Sequence, residues 1–158
     1  MSGKIVAFLL VACAAVAGGA LYWLQLYAFY EPVPAEAGAA ELALVSISTG
    51  QSERFLLSDF EAVDSTSSPI RYRACFQTPM SLAMLTETYE LYERAVPLVG
   101  PPGLPCFDAT RIGEALETGE AIAFLSQRDI TDGVDRVIAV FGDGKAYAWH
   151  QLNEKFTE

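Results

Sequence analysis

The sequence predicts an α+β chain: one N-terminal transmembrane helix followed by a small antiparallel-sheet domain with two helices. Three observations predict it. Residues 5–30 carry no formal charge, and at the helical rise this stretch would reach about 39 Å, more than the hydrocarbon core of a bilayer. Beyond it, strand patterns come first, two helical patterns follow and three strand patterns close the chain, the order expected of local antiparallel pairing. The 158 residues leave room for the anchor and one domain of roughly 115 residues, and not for two. The expected organisation is an anchor over 1–30, a Pro/Ala linker over 31–40 and an α+β domain over 41–158.

Charge divides along the same boundary. Lys4 is the one basic residue before Glu31; the other nine, set against twenty acidic residues, leave the remainder at −11. So acidic a domain repels phosphate backbones and anionic headgroups, which argues against nucleic acid as a partner. Lys4 before the helix and Glu31, Glu36 and Glu41 after it place the N-terminus in the cytoplasm and the domain in the periplasm of a bacterium, at its inner membrane. Leu10–Cys13 resembles a lipoprotein acceptor site, but apolar helix follows it where a polar tether is wanted, and cleavage among Ala12–Ala20 would leave an apolar new end. An uncleaved anchor is expected.

Within the anchor, Ala14 with Gly18 and Ala15 with Gly19 fall four residues apart, a spacing that lets a second helix approach closely. Tyr22, Trp23, Tyr27, Phe29 and Tyr30 crowd its outer end as an interfacial belt does, and exceed what anchoring alone needs. Pro32 and Pro34 exclude a continuous helix at the start of the linker. Residues 42–49 read as a strand ending at Gly50, with a short strand over 55–57 and a loop over 64–69. Residues 70–76 alternate Ile70, Tyr72, Ala74 and Phe76 against Arg71, Arg73 and Cys75, the pattern of a half-buried strand. Thr78 and Pro79 then read as the start of a helix to about Arg94, with Leu82, Leu85, Tyr89 and Tyr92 on one face and Glu90 paired with Arg94.

Residues 96–105 (VPLVGPPGLP) can be neither helix nor central strand, and form a rigid apolar loop suited to contact. Asp108 caps a second helix that buries Ile112, Ala115 and Leu116 and stops at Gly119. Strands follow over 120–127, 134–141 and 145–151, with Gly142–Gly144 as a tight hairpin. The strand 134–141 is apolar on both faces and must be covered on both, by the two helices on one side and the loop around Pro101 and Pro102 on the other. Where cover is incomplete, Tyr147 and Trp149 would face a partner.

Candidate chemistry is sparse. In an oxidising compartment Cys75 and Cys106 suit a disulfide, worth about 3–4 kcal/mol on the chain-entropy model; Cys13 lies in the anchor. The alternatives are free thiols and a metal site from Cys75, Cys106 and His150, the sole histidine, though a closed zinc site wants four ligands and no preorganised spacing supplies them. No serine sits in a Gly-x-Ser-x-Gly elbow and the glycines around Asp143 lack a phosphate loop's lysine, so no catalytic residue and no cofactor is assigned.

With these segments located, the chain resembles a family of small single-pass alphaproteobacterial membrane proteins classed as a domain of unknown function. The resemblance rests on LQLYAFYEPV at the end of the anchor, RACF at 73–76, CFDA at 106–109, GVDRVIAV at 133–140 and YAWHQLN at 147–153. It implies a membrane location and no activity. The histidine kinase label that some members carry has no support, because an ATP-binding domain with its asparagine and glycine boxes does not fit in this length. The expected function is non-enzymatic: a membrane-anchored periplasmic interaction protein, accessory to or assembling a larger membrane complex, possibilities for a host including a respiratory one. A periplasmic small-ligand or metal sensor is the alternative, and an unrecognised hydrolase the second.

Overall fold

The computed structural model describes residues 2–156. Its first element, the helix α1 (Gly3–Leu26), has no buried residue. With a mean hydropathy of 2.4 it is long and apolar enough to cross a membrane, a measure that a signal sequence also meets.

The segment expected as a linker is part of the fold. Glu31–Pro32 (β1) pairs with Asp64 and Val63, and Ala35–Glu41 forms the short helix α2 behind Pro34. The proline forbids helix before itself, but the alanine-rich run after it has high helix propensity. Gly38 makes the docking possible: a Cβ there would stand 2.5 Å from the Phe60 ring.

Next come β2 (Ala43–Val45) and β3 (Ser52–Arg54), a two-stranded sheet of their own. The strand expected over 42–49 stops early because Ser46 already enters the turn, its carbonyl accepting from the Gly50 amide at 2.8 Å. The strand expected over 55–57 lies instead at 52–54, and Phe55 and Leu57 pack against the core. A strand not foreseen, β4 (Ser58–Asp64), follows and takes Asp64 out of the expected loop. β5 (Arg73–Gln77) is shorter than expected and buried on both faces at its first four residues, not half-buried.

The expected helix over 78–94 is also cut down. α3 (Leu82–Thr88) is capped by Ser81, whose hydroxyl accepts from the Met84 amide at 3.3 Å. Thr78 instead donates to the Leu56 carbonyl at 2.8 Å. Tyr89 and Leu91 leave the helix to bridge Ser46 and Phe124, so pairing with distant strands overrides the 3.6-residue period. Glu90 consequently pairs with Arg128 and Arg94 with Glu154, not with each other. The helix α4 (Ala109–Thr118) is as expected: Asp108 accepts from the Arg111 amide, Ile112 and Ala115 are buried, and Gly119 ends it at φ +77°. Of the last strands, β7 (Val134–Phe141) and β8 (Lys145–Leu152) match their predicted places, while β6 (Ala121–Thr131) runs four residues beyond the expected end at Gln127.

The main sheet has the order β1-β4-β5-β8-β7-β6, every pairing antiparallel. Ala74, Phe76, Ile138, Val140, Ala146 and Ala148 share one face, covered by Leu42 and Leu44 before and in β2, by Leu85 of α3 and by Tyr89. Cys75, Val137, Ala139 and Trp149 share the other, covered by Leu104, Phe107, Ile112 and Ala115. The helices thus divide between the faces, α4 and the proline-rich loop together on one, α3 with the small sheet on the other. Among the described residues three short helices follow α1 where two were expected, the additional one being α2.

The Cys75–Cys106 disulfide spans 31 residues and ties that loop to β5. Reducing it should lower the unfolding free energy by about 3–4 kcal/mol, read as a shift in the urea midpoint with and without dithiothreitol. A second prediction concerns the β7–β8 turn. Gly144 has φ +90°, and a Cβ on it would meet the Thr78 carbonyl oxygen at 2.6 Å. Gly144→Ala should therefore cost about 1–3 kcal/mol in the same titration.

Candidate functional site

Antiparallel pairing gathers five buried polar side chains, Arg73, Asp135, Arg136, His150 and Gln151, at one end of the sheet. The β7–β8 hairpin sets Val140 opposite Ala146, and the same register carries Arg136 to His150. Pairing of β5 with β8 sets Arg73 opposite Trp149. This end also meets the chain leaving α1: Arg71 Nη1 donates to the Ala28 carbonyl at 3.3 Å and its guanidinium lies 5.1 Å from the Tyr30 ring centre.

On the first face, Arg136 Nε donates to His150 Nε2 at 3.0 Å. A guanidinium has no lone pair to accept with, so Nε2 is the unprotonated nitrogen and Nδ1 donates to the Pro69 carbonyl at 2.8 Å. Tyr72 stacks on the imidazole at 4.6 Å with an interplanar angle of 18°, and Arg136 lies 4.6 Å from the Tyr72 ring centre. Burial, reinforced by the Arg136 charge, pushes His150 down to about 4. Burial likewise pushes Tyr72 up to about 12 and raises Asp64 against the opposing pull of its Ser65 amide and Arg136. The imidazole has both nitrogens engaged and stays neutral.

On the second face, Arg73 donates to four carbonyls: Ile70 at 2.8 Å, Tyr72 at 2.6 Å, Leu98 at 3.0 Å and Val99 at 3.2 Å. Burial lowers it to about 10. Gln151 fixes the same loop further along, accepting from the Val96 amide at 2.9 Å and donating to the Arg94 carbonyl at 2.9 Å. Asp135, 1% exposed, accepts from the Tyr92 hydroxyl at 3.1 Å, the Asp129 amide at 2.9 Å and Asn153 Nδ2 at 2.9 Å. Burial, then the Asp135 charge, pushes Tyr92 up to about 12. Between this group and the loop opens a cleft of about 850 Å³, with Ile70, Leu91, Val96 and Leu98 among its walls and Arg94, Arg128 and Lys155 at its rim. The rim cations are answered by Glu154, Glu90, and Asp129 with Asp132.

The residues singled out from sequence fall as follows. Cys75 and Cys106 are joined to each other. His150 belongs to the opposite sheet face, in register with Ala148 and Ala146, so the alternative metal trio of Cys75, Cys106 and His150 is not assembled; among the described residues no group of three or more histidine, cysteine or acidic side chains gathers for a metal. Trp149 is fully buried, with its Nε1 donating to Gln151 at 3.0 Å, and is core, not interface. Tyr147 is half-buried against Phe107 and Phe141. Tyr22, Trp23 and Tyr27 are exposed on and just after the end of α1, Tyr30 is half-buried beneath Arg71, and Ala14, Ala15, Gly18 and Gly19 lie exposed along the helix. Sequence reasoning missed Arg136, Arg73, Asp135 and Gln151. The Gly142–Gly144 turn held the signal for the first, since fixing that hairpin pairs Arg136 with His150.

A disulfide-tied α+β domain behind an apolar N-terminal helix, with buried charges gathered at the end of the sheet where Arg71 holds the Ala28 carbonyl, is the class of protein these features define. Residues 42–158 match the family described as Family of unknown function (DUF6446), and the chain belongs to it. No curated protein and no solved structure matches the chain.

The His150 shift has a defined sign. The unfolded imidazole titrates near 6.5 and the folded one near 4, so the unfolded state takes up the proton first as pH falls. The stability held by the neutral imidazole is complete above pH 6.5 and drains away toward pH 4, on the order of 3 kcal/mol. The raised Asp64 acts in the opposite sense over the acid range. Thermal melts of the wild type between pH 7 and 4 should fall more steeply than those of His150→Gln, which keeps an acceptor for Arg136 without a titrating ring.

Proposed function

We propose that this chain is a non-enzymatic, membrane-anchored interaction protein, an accessory or assembly subunit of a larger complex in the bacterial inner membrane, with its domain on the periplasmic side. An energy-transducing complex is the candidate host. The observation that carries the reading is that α1 has none of its residues buried by its own domain and leaves both the Ala14/Gly18 and Ala15/Gly19 spacing and the aromatic end open to another helix. Lys4 before α1 and the acidic residues after it support the orientation, as does a disulfide, which persists in oxidising compartments. The non-enzymatic reading is supported by the state of the polar interior. Among the described residues every buried side-chain nitrogen and oxygen has a hydrogen-bond partner, and those of His150 are Arg136 and Pro69.

A second reading, a small-ligand sensor, is favoured by the cleft beside Tyr92, whose 850 Å³ lies in the ordinary range of ligand sites. The test that separates the two is affinity purification of a C-terminally tagged chain from native membranes in mild detergent. Integral membrane subunits retained near stoichiometry are the expected result, and Gly18→Leu with Gly19→Leu should release them while leaving the domain's melting temperature unchanged. Recovery of the tagged chain alone would count against the accessory role and in favour of the ligand reading.

A further inference from the structure

We propose that the uncharged loop of residues 96–102 is a second membrane contact, with Val96 and Val99 seated in the interfacial layer of a zwitterionic bilayer beside the end of α1. The inference rests on the reading of α1 as a membrane anchor and adds to it how the domain lies.

The placement comes first. Arg73 Nε holds the Leu98 carbonyl at 3.0 Å, while its near neighbour Arg71 holds the Ala28 carbonyl, two residues past α1, at 3.3 Å. One end of β5 therefore fastens both the loop and the chain emerging from the helix. Exposed apolar side chains accumulate at that same end. Phe29 is 61% exposed, Val96 59% and Val99 77%, and Leu152 and Phe156, also exposed, close the β8 side. The aromatic end of α1 reaches this end of the sheet through Tyr30, whose ring centre lies 5.1 Å from the Arg71 guanidinium.

The chemistry of the loop fits lipid better than a charged partner. Residues 96–105 contain no ionisable side chain, so entry into the interface strips no charge of its water. Four of its backbone groups are held by the domain. The Val96 amide bonds to Gln151, the Leu98 and Val99 carbonyls to Arg73, and the Pro101 carbonyl to the Leu104 amide at 3.1 Å. The other backbone groups keep to the hydrated interfacial layer, so the side chains of Val96 and Val99 make the contact and the loop does not enter the hydrocarbon core. The domain's net negative charge excludes attraction to anionic headgroups as the driving force, so the contact is apolar and insensitive to salt.

The test uses the full chain, with its disulfide intact and Cys13→Ser, in phosphatidylcholine nanodiscs containing doxyl-labelled lipid. An environment-sensitive fluorophore is placed on Val99→Cys and, separately, on Leu56→Cys, whose carbonyl is bound by Thr78 at the opposite end of the sheet. A third sample carries it on the native Cys13 within α1. Strong quenching at Cys13 and several-fold more quenching at position 99 than at 56, unchanged by salt, is the expected result. Quenching at Cys13 with position 99 as accessible to water as position 56 would overturn the loop contact alone. Absence of quenching at Cys13 would overturn the anchor and the loop contact together.

Discussion

A strand with no exposed residue forces the chain around it to supply cover on two sides. All eight residues of β7 are buried, and this requirement explains the layout of the domain. Ile138 and Val140 need one lid, which β2 and α3 provide with Leu44 and Leu85. Val137 and Ala139 need another, provided by α4 and the proline-rich loop through Ile112 and Phe107. In the neighbouring β8, Ala146 and Ala148 are small enough for the first lid to sit close. A chain this short has one loop left to finish the second lid, and that loop has no regular backbone pairing of its own. Its polar groups must then be met by side chains, which is the work of Arg73 and Gln151.

What could be read from the sequence was whatever local chemistry decides. Asp108 and Gly119 bracket α4 because capping and left-handed termination act within a turn. The Gly-Asp-Gly hairpin and the alternation on either side of it located β7 and β8 for the same reason. The failures share a cause of the opposite kind. β4 carries Asp59, Glu61 and Asp64, poor strand formers by composition, and is a strand because β5 pairs with it. Tyr89 keeps the period of α3 but is drawn out of it by Ser46, and Leu91 after it by Phe124, residues far away in sequence. The linker was misread because Pro32 and Pro34 were allowed to speak for the alanines behind them.

The polar interior shows the same division. A sequence names Arg136 and His150, but their contact exists only through register, and Tyr72 joins them only because β5 lies beside β8. The arrangement also reverses the usual expectation for a solitary histidine. With its Nε2 facing a guanidinium and its ring buried, the imidazole takes up no second proton near neutrality. It works as a fixed acceptor that lets an arginine be buried without a hydrogen-bonded carboxylate among the described residues.

The docking of β1 and α2 onto β4 alters what the domain can reach. A free linker of ten residues would have a root-mean-square span of about 17 Å, and the domain would sample a hemisphere of positions and every rotation about its tether. With Glu31 and Pro32 in the sheet and Gly38 against Phe60, that freedom has already been given up on folding. On the accessory role proposed above, a partner would meet the domain at one height and one azimuth relative to α1, and the ordering cost would fall on folding and not on association. Recognition in that role would depend on the partner arriving in the right orientation within the plane, since the domain itself would not search.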